Sequence, residues 1–287
     1  MLSMKLTAGK YLLWAGVVTQ LAIWNTNLTA GTVQDPPGPP SVGQDDGAIA
    51  ATAGPKPDMQ EVIRKFAAKE EEFSKARENY TYRQIVKVQE LSPEGDSGGV
   101  YQIESDVIFT PQGARTEKVV YAPVSTLRKV DITPEDERDL KNIQPFVLTT
   151  KDLPKYNIQY QGRQKVDEIG TYVFKVGPKK FEKGERYFEG MVWVDDRDFQ
   201  IVKTYGKAVP DIRKNGGENL FPRFETYRTQ VDGKYWFPTW TRADDTLYFS
   251  TGQQRIRMLV RYENYKQFKS ESKITYGDEA EQPPEIK

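Results

Sequence analysis

From Tyr80 onward the chain alternates apolar and polar residues with a period of two. Tyr80, Tyr82, Val86 and Val88 carry the first run, Tyr101, Ile103, Val107 and Phe109 the second, and Val119 and Tyr121 the third. Side chains two apart on a strand share a face, so each run predicts a strand with one side turned inward. Ser92-Pro93-Glu94-Gly95-Asp96 and Pro111-Gln112-Gly113 punctuate the runs with turn formers, which predicts an antiparallel meander. Strand patterns resume at 156–165, 171–178, 186–194 and 199–205, and a last one covers 253–266. Two segments have a helical period instead. Met59, Val62, Ile63, Phe66, Phe73 and Ala76 form a stripe behind the start signal Pro57-Asp58 with Glu61, predicting a helix over 58–78. Its stripe is expected to pack on the sheet, because the polar face is rich in Glu as well as Lys, unlike a membrane-surface helix. Thr133-Pro134-Glu135-Asp136 predicts a short helix with proline at its first position, ending near Gln144-Pro145.

The stretch RFETYRTQVDGKYWFPTWTRADD (223–245) is the densest aromatic segment. Asp232-Gly233 predicts a two-residue hairpin turn. On that register Val231 pairs with Lys234, Thr229 with Trp236, Tyr227 with Pro238 and Glu225 with Trp240. One face then carries Tyr227, Val231, Trp236 and Trp240, and the other Phe224, Tyr235 and Phe237. Both faces are partly apolar, so the pair reads as covered on both sides, by helices on one and by a cavity or ligand on the other. The same theme recurs at 186–205. Tyr187, Met191 and Trp193 share one face, Phe188, Val192 and Val194 the other, and Phe199, Ile201 and Tyr205 oppose Val202. Large aromatics with a polar tip suit an apolar ligand with a polar end; a plain aromatic core is the competing reading of any one of them. In the last strand Ile256, Met258, Val260 and Tyr262 share a face, while Arg255, Arg257, Arg261 and Leu259 share the other. That arginine row reads as a solvated face paired with acids such as Glu225, or as a contact for an acidic partner or headgroup phosphate.

The absent residues restrict the chemistry. The 287 residues include no His and no Cys, so imidazole and thiol catalysis, thiolate or imidazole metal sites and disulfides are excluded. The acids do not compensate. Asp195, Asp196 and Asp198 read as a turn and Asp244-Asp245 as the end of a strand. Adjacent strand positions point to opposite faces, so that pair cannot supply the two facing carboxylates a glycosidase needs. Neither group has the spacing of a calcium loop, and Gly216-Gly217 lacks the context of a phosphate loop. The formal net charge is zero, which leaves no bulk field toward nucleic acid. No enzymatic activity, cofactor, metal or nucleic-acid partner is expected, and the chain is expected to be a monomer.

The ends point to export. Lys5 and Lys10 precede an apolar run of thirteen residues (12–24), short for a bilayer span and suited to a signal peptide over 1–30 with a small-residue cleavage site at Leu28-Thr29-Ala30. An uncleaved inner-membrane anchor is the alternative. Residues 31–57, with DPPGPP, read as a linker and 269–287 as a charged disordered tail, which leaves 58–268 as the folded domain. The polar, Gly/Pro-rich segment 207–222 reads as a mobile or functional loop.

The helix at 58–78 followed by Tyr80-Thr81-Tyr82, and the hairpin EGMVWVDDRDFQIVKTYG (189–206), resemble the LolA-like outer-membrane lipoprotein-sorting family. The segment 189–206 is similar to that family's G-x-x-W-V-D hairpin, and Arg186 to Phe268 resembles an uncharacterised bacterial subgroup. The resemblance covers 58–268. It implies an α+β, LolA/LppX-like fold: a half-open antiparallel β-barrel, made of one curved sheet, with an N-terminal helix and a short lid helix over an apolar cavity for acyl chains. The function so implied is a periplasmic carrier of lipid or lipoprotein acyl chains. An envelope protein-interaction or stress-sensing module without cargo is the alternative. No cargo-binding residue transfers from the family. The cavity candidates read from the strands are Tyr82, Val86, Met191, Trp193, Trp236 and Trp240.

Overall fold

The computed structural model describes residues 49, 57–110, 112–142, 145–214 and 217–268; the signal peptide, most of the linker and the tail expected from the sequence lie outside them. Helix α1 (Met59–Arg77) leads into strands β1 (Tyr80–Leu91), β2 (Ser97–Phe109) and β3 (Arg115–Tyr121). Helix α2 (Pro134–Asn142) then precedes β4 (Tyr156–Val166), β5 (Ile169–Pro178), β6 (Tyr187–Asp195) and β7 (Ile201–Val209). A two-stranded hairpin of β8 (Ile212–Lys214) and β9 (Gly217–Asn219) interrupts the series before β10 (Phe224–Val231), β11 (Tyr235–Phe249) and β12 (Gly252–Gln267). The ten long strands make one curved, unclosed antiparallel sheet in the order β3-β2-β1-β12-β11-β10-β7-β6-β5-β4. This is the half-open architecture expected from the sequence. The first and last strands of the meander lie side by side, and the free edges are β3 and β4. The segment between those edges, 122–155, carries α2 across the sheet's inner face, where Leu140, Phe146 and Leu148 join the main core.

The sequence explains where α1 sits. Asp58 caps it by accepting from the Gln60 N–H at 2.9 Å. Val62, Ile63, Phe66, Ala67, Glu70 and Phe73 are its buried side. Phe66 meets Phe174 of β5 at 5.4 Å between ring centroids, and Phe73 meets Phe237 of β11 at 5.1 Å. The helix therefore spans the sheet from β5 to β11.

Glu70 belongs to this apolar stripe, four residues after Phe66 and three before Phe73. Its carboxylate takes both oxygens to Arg228 Nη1 of β10 at 3.1 Å and also accepts the Ile201 backbone N–H of β7 at 3.1 Å. Arg228 Nη2 donates to the Phe146 carbonyl of the crossing segment. Both side chains are almost wholly buried. Burial pushes the Glu70 carboxyl up, against the opposing pull of Arg228 and the Ile201 N–H.

Three expected details differ. The 232–234 turn has three residues, with Asp232 and Gly233 both at positive φ. Val231 therefore pairs with Tyr235, Gln230 with Trp236 and Thr229 with Phe237, one position off the expected register. Thr239 is an extra residue between the Arg228–Pro238 and Tyr227–Trp240 pairs, and this bulge lets Tyr227 stack on Trp240 at 4.4 Å. The second difference is at β7. Phe199 takes a positive φ, the ladder shifts between Trp193–Lys203 and Val194–Ile201, and Val202 and Tyr205 pack together on the outer face while Ile201 stays inside. Third, β11 continues through Asp244-Asp245 to Phe249 rather than ending there. Asp244 binds Arg255 and Arg257 of β12, which holds its carboxyl below the ordinary value although burial opposes this, and Asp245 accepts the Arg223 N–H. Arg261 pairs with Glu263, and Glu225 with Arg242.

The Glu70–Arg228 pair yields the first prediction. Glu70→Ala or Arg228→Ala leaves a buried charge alone and is expected to cost about 3–5 kcal/mol in urea unfolding. Replacing both by Met is expected to recover most of that loss. A single variant costing less than about 1 kcal/mol would contradict this role.

Candidate functional site

The inner face of the sheet has a filled half and a hollow half. Over β4–β7 the space is occupied by α1 and by aromatic residues such as Phe174 and Phe188, both fully buried. Over β1–β3, β11 and β12 the covering is α2, loops and the C-terminal end of α1, and three cavities are lined by described residues. One of about 650 Å3 lies between β1, β2, β3 and α2, lined by Val86, Tyr101, Ile103, Val119 and Leu140 among others. A second, of about 360 Å3, is walled by Val88, Leu247, Ile256 and Met258 of the sheet, by Leu140 of α2, and by 129–133 and 218–222. The third, of about 240 Å3, lies at the end of α1 under Tyr82, Tyr262 and Tyr265. None of the three draws a lining residue from β4–β7. Leu140 borders the first two, and Arg115, Lys141 and Asn142 border the first and third, so α2 sits over the row as a partition and roof.

Polar contacts add to apolar packing in holding the walls, whose Leu140, Leu220 and Phe221 belong to the main core. Glu90 Oε1, on β1, accepts the backbone N–H groups of Arg128, Lys129 and Val130 at 2.9, 2.6 and 3.0 Å. Burial alone would push its carboxyl up, but the backbone donors outweigh burial and hold it below the ordinary carboxylate value. Helix α2 starts in a capping box, in which the Thr133 N–H donates to Asp136 Oδ2 at 2.8 Å and the Asp136 N–H returns to Thr133 Oγ1 at 3.2 Å. Asn219 of β9 donates to both capping side chains, at 2.8 and 2.9 Å, and accepts from Arg186 Nη1 at 2.9 Å. Arg186 Nη2 also lies 2.8 Å from Asp139 Oδ2 of α2. That approach is off the line of the N–H bonds, so it is a charge contact rather than a hydrogen bond. The segment 218–222, read as loop in the sequence, is thereby fixed to α2 and forms one wall.

The six residues expected at the site fall on two faces. Tyr82 and Val86 line the inner cavities. Met191, Trp193, Trp236 and Trp240 are on the outer face, away from all three. There Met191, Trp193 and Trp236 pack with Val166, Val173, Val202 and Tyr227. Trp193 Nε1 donates to Gln164 at 2.7 Å, Trp236 Nε1 donates to Asp198 at 2.8 Å, and Lys203 Nζ lies 4.9 and 4.8 Å from the Trp193 and Tyr227 rings. The polar tips of these two Trp residues are therefore engaged within the protein. Strand alternation also revealed Val88, Tyr101 and Ile103 of β1 and β2, and Ile256, Met258 and Tyr262 of β12, as lining residues. The contribution of α2 and of 218–222 had no such signal.

No family profile matches the sequence, and no curated protein matches it. Three solved structures align with the chain at low similarity. A DUF1329 family protein from Desulfovibrio piger aligns at 11% identity and a TM-score of 0.36, covering 72% of this chain and 92% of that one. MucB aligns at 11% identity and 0.25, with coverage of 72% and 92%. The MucA/MucB complex of Pseudomonas aeruginosa aligns at 9% identity and 0.21, with coverage of 72% and 94%. These scores fall short of a superposable fold.

The latch around α2 has a pH dependence that can be measured. Burial pushes the Asp139 carboxyl up to about 7, with Arg186 pulling it down and Asp136 adding to the rise. A folded value above the ordinary 3.8 means that the docked helix binds a proton more tightly than the undocked chain. That stabilisation is complete below pH 4 and is lost as pH rises through about 7. The chain has no histidine to mask the effect. Melting temperature is expected to fall between pH 5 and pH 8, and the fall is expected to be smaller in Asp139→Asn. An equal slope in that variant would show that Asp139 is not the group responsible.

Proposed function

We propose that the protein is an exported, non-enzymatic carrier that holds the acyl chain of a lipid or lipoprotein along the hollow half of the sheet. The observation that carries this reading is the row of three cavities beneath α2, bordered by Val86, Val88, Leu140, Leu247, Ile256 and Met258. Each methylene moved from water into such a lining contributes about 0.8 kcal/mol. A chain of ordinary acyl length can therefore bind tightly without specific polar contacts. The roof is held by a few polar contacts at α2 and 218–222, which gives entry a discrete element to open. Among the described residues no helix is long and apolar enough to cross a membrane. The periplasm, reached through the N-terminal signal, is the compartment this reading assigns, and outer-membrane lipoprotein sorting is the process it suggests.

One feature favours a second reading, an envelope protein-interaction module. β3 is a free sheet edge, and Val119, Val120 and Tyr121 on it are 50%, 41% and 51% exposed. An extended segment of another protein could add to such an edge.

Native mass spectrometry of protein purified from its own envelope separates the two. The carrier is expected to bring lipid with it. Leu140→Trp, which fills space shared by the two larger cavities, is expected to reduce occupancy about tenfold, the equivalent of roughly two buried methylenes. Lipid-free protein from the envelope, with no uptake of added lipid, would remove the carrier reading and leave the edge-binding one.

A further inference from the structure

The smallest cavity differs from its neighbours in charge. Its body is aromatic, made by Phe73, Tyr82, Phe237, Tyr262 and Tyr265, and Arg77, the last residue of α1, lines it as well. The Arg77 Nε is enclosed and has no hydrogen-bond partner. No ion pair joins Arg77 to a carboxylate among the described residues. Glu70, about two turns earlier on the same helix, is occupied by Arg228. Glu78 also lines the cavity, with its carboxylate against Gly113 of the same lining, and it and Glu70 act on Arg77 through space without an ion pair. The two other cations on the lining have partners: Arg115 binds Glu117 and Gln84, and Lys141 lies 3.5 Å from Glu117 and 3.9 Å from Glu137. Burial, which comes ahead of every neighbouring charge, lowers the Arg77 pKa from its ordinary value.

A guanidinium held against aromatic rings with an orphaned Nε is costly for the empty protein. The same arrangement suits an oxyanion, because guanidinium donors match carboxylate and phosphate geometry and gain strength where water is excluded. We infer that this cavity is an anion seat, in which Arg77 takes the carboxylate or phosphate headgroup of an amphiphile whose chain extends into the neighbouring cavities. The seat rests on the carrier reading for the chain and on its own geometry for the headgroup. It sets the orientation of the cargo: head at the C-terminal end of α1, tail toward α2. It also gives selectivity, since a neutral headgroup would leave the guanidinium unpaired.

Calorimetric titration of the full chain with dodecanoate, dodecanol and inorganic phosphate, each amphiphile below its micelle concentration, tests this. Dodecanoate is expected to bind the wild-type protein at least about tenfold more tightly than dodecanol, the factor typical of one charged hydrogen-bonded contact. In Arg77→Met the two are expected to agree within about twofold, while thermal stability without ligand is equal or higher because an orphaned enclosed donor has gone. Arg77→Lys is expected to restore part of the preference. Equal binding of dodecanoate and dodecanol by the wild type would overturn the seat and leave the carrier. A preference that survives Arg77→Met would also overturn it. Phosphate that binds as tightly as dodecanoate would make the ligand a free anion rather than a headgroup. Failure of both amphiphiles would remove the carrier reading, and failure of phosphate as well would remove the seat.

Discussion

The arrangement of the inner face depends on one buried ion pair. Glu70 and Arg228 bring together three parts of the chain that are far apart in sequence: α1, the middle of the sheet at β7 and β10, and the crossing segment at Phe146. Desolvating two charges is expensive, and their attraction offsets that cost only when the geometry is tight and the remaining donors and acceptors are used. Here the carboxylate has a backbone N–H as well as the guanidinium, and the guanidinium has a carbonyl as well as the carboxylate. The pair restricts where α1 can lie. A helix shifted by one turn would bury both charges without partners. With α1 fixed over β5 to β11, its aromatic residues fill one half of the inner face, and the other half is left to a nine-residue helix too short to fill it.

The hollow half keeps its shape through polar contacts at its rim. Glu90 gathers three consecutive backbone N–H groups, and the Thr133–Asp136 capping box, Asn219, Arg186 and Asp139 join α2 to the 218–222 wall. Such contacts break and reform with less disturbance than a close-packed interior, in which even small volume changes are resisted. A chain without disulfides in this way combines a close-packed α1 half with a half that keeps cavities. Burial pushes the Asp139 carboxyl up to about 7, so the second half is expected to respond to pH near neutrality.

Much of the architecture was legible in the sequence because strand alternation and helix periodicity are local. The two helices, the meander of β1 to β3 and the long strands are all visible in the spacing of apolar residues. Registers were less so. The three-residue turn at Asp232 to Lys234 and the extra residues Thr239 and Val202 depend on backbone conformations that composition only hints at. The division of the six candidates has a different origin. Alternation shows that Trp193 and Val192 face opposite ways, but only the docking of α1 decides which way is inside. A signal for that docking was present and carries chemistry: Glu70 stands at the helical spacing of Phe66 and Phe73, an acid on an apolar stripe. An acid in that position calls for a buried cation, and Arg228, in the aromatic run of β10, is where one was to be found. Arg77 ends the same helix and had no comparable signal, since its isolation is a tertiary fact.

The carrier reading places ligand on the concave side, in the hollow half under α2, and not against the aromatic outer face. Photo-crosslinking with a fatty acid that carries a diazirine in its chain, followed by peptide mapping, tests this most directly. Adducts are expected on the lining of the inner cavities, at residues such as Val86, Val88, Leu247 and Met258. Labelling confined to the outer cluster of Met191, Trp193, Trp236 and Trp240 would contradict it.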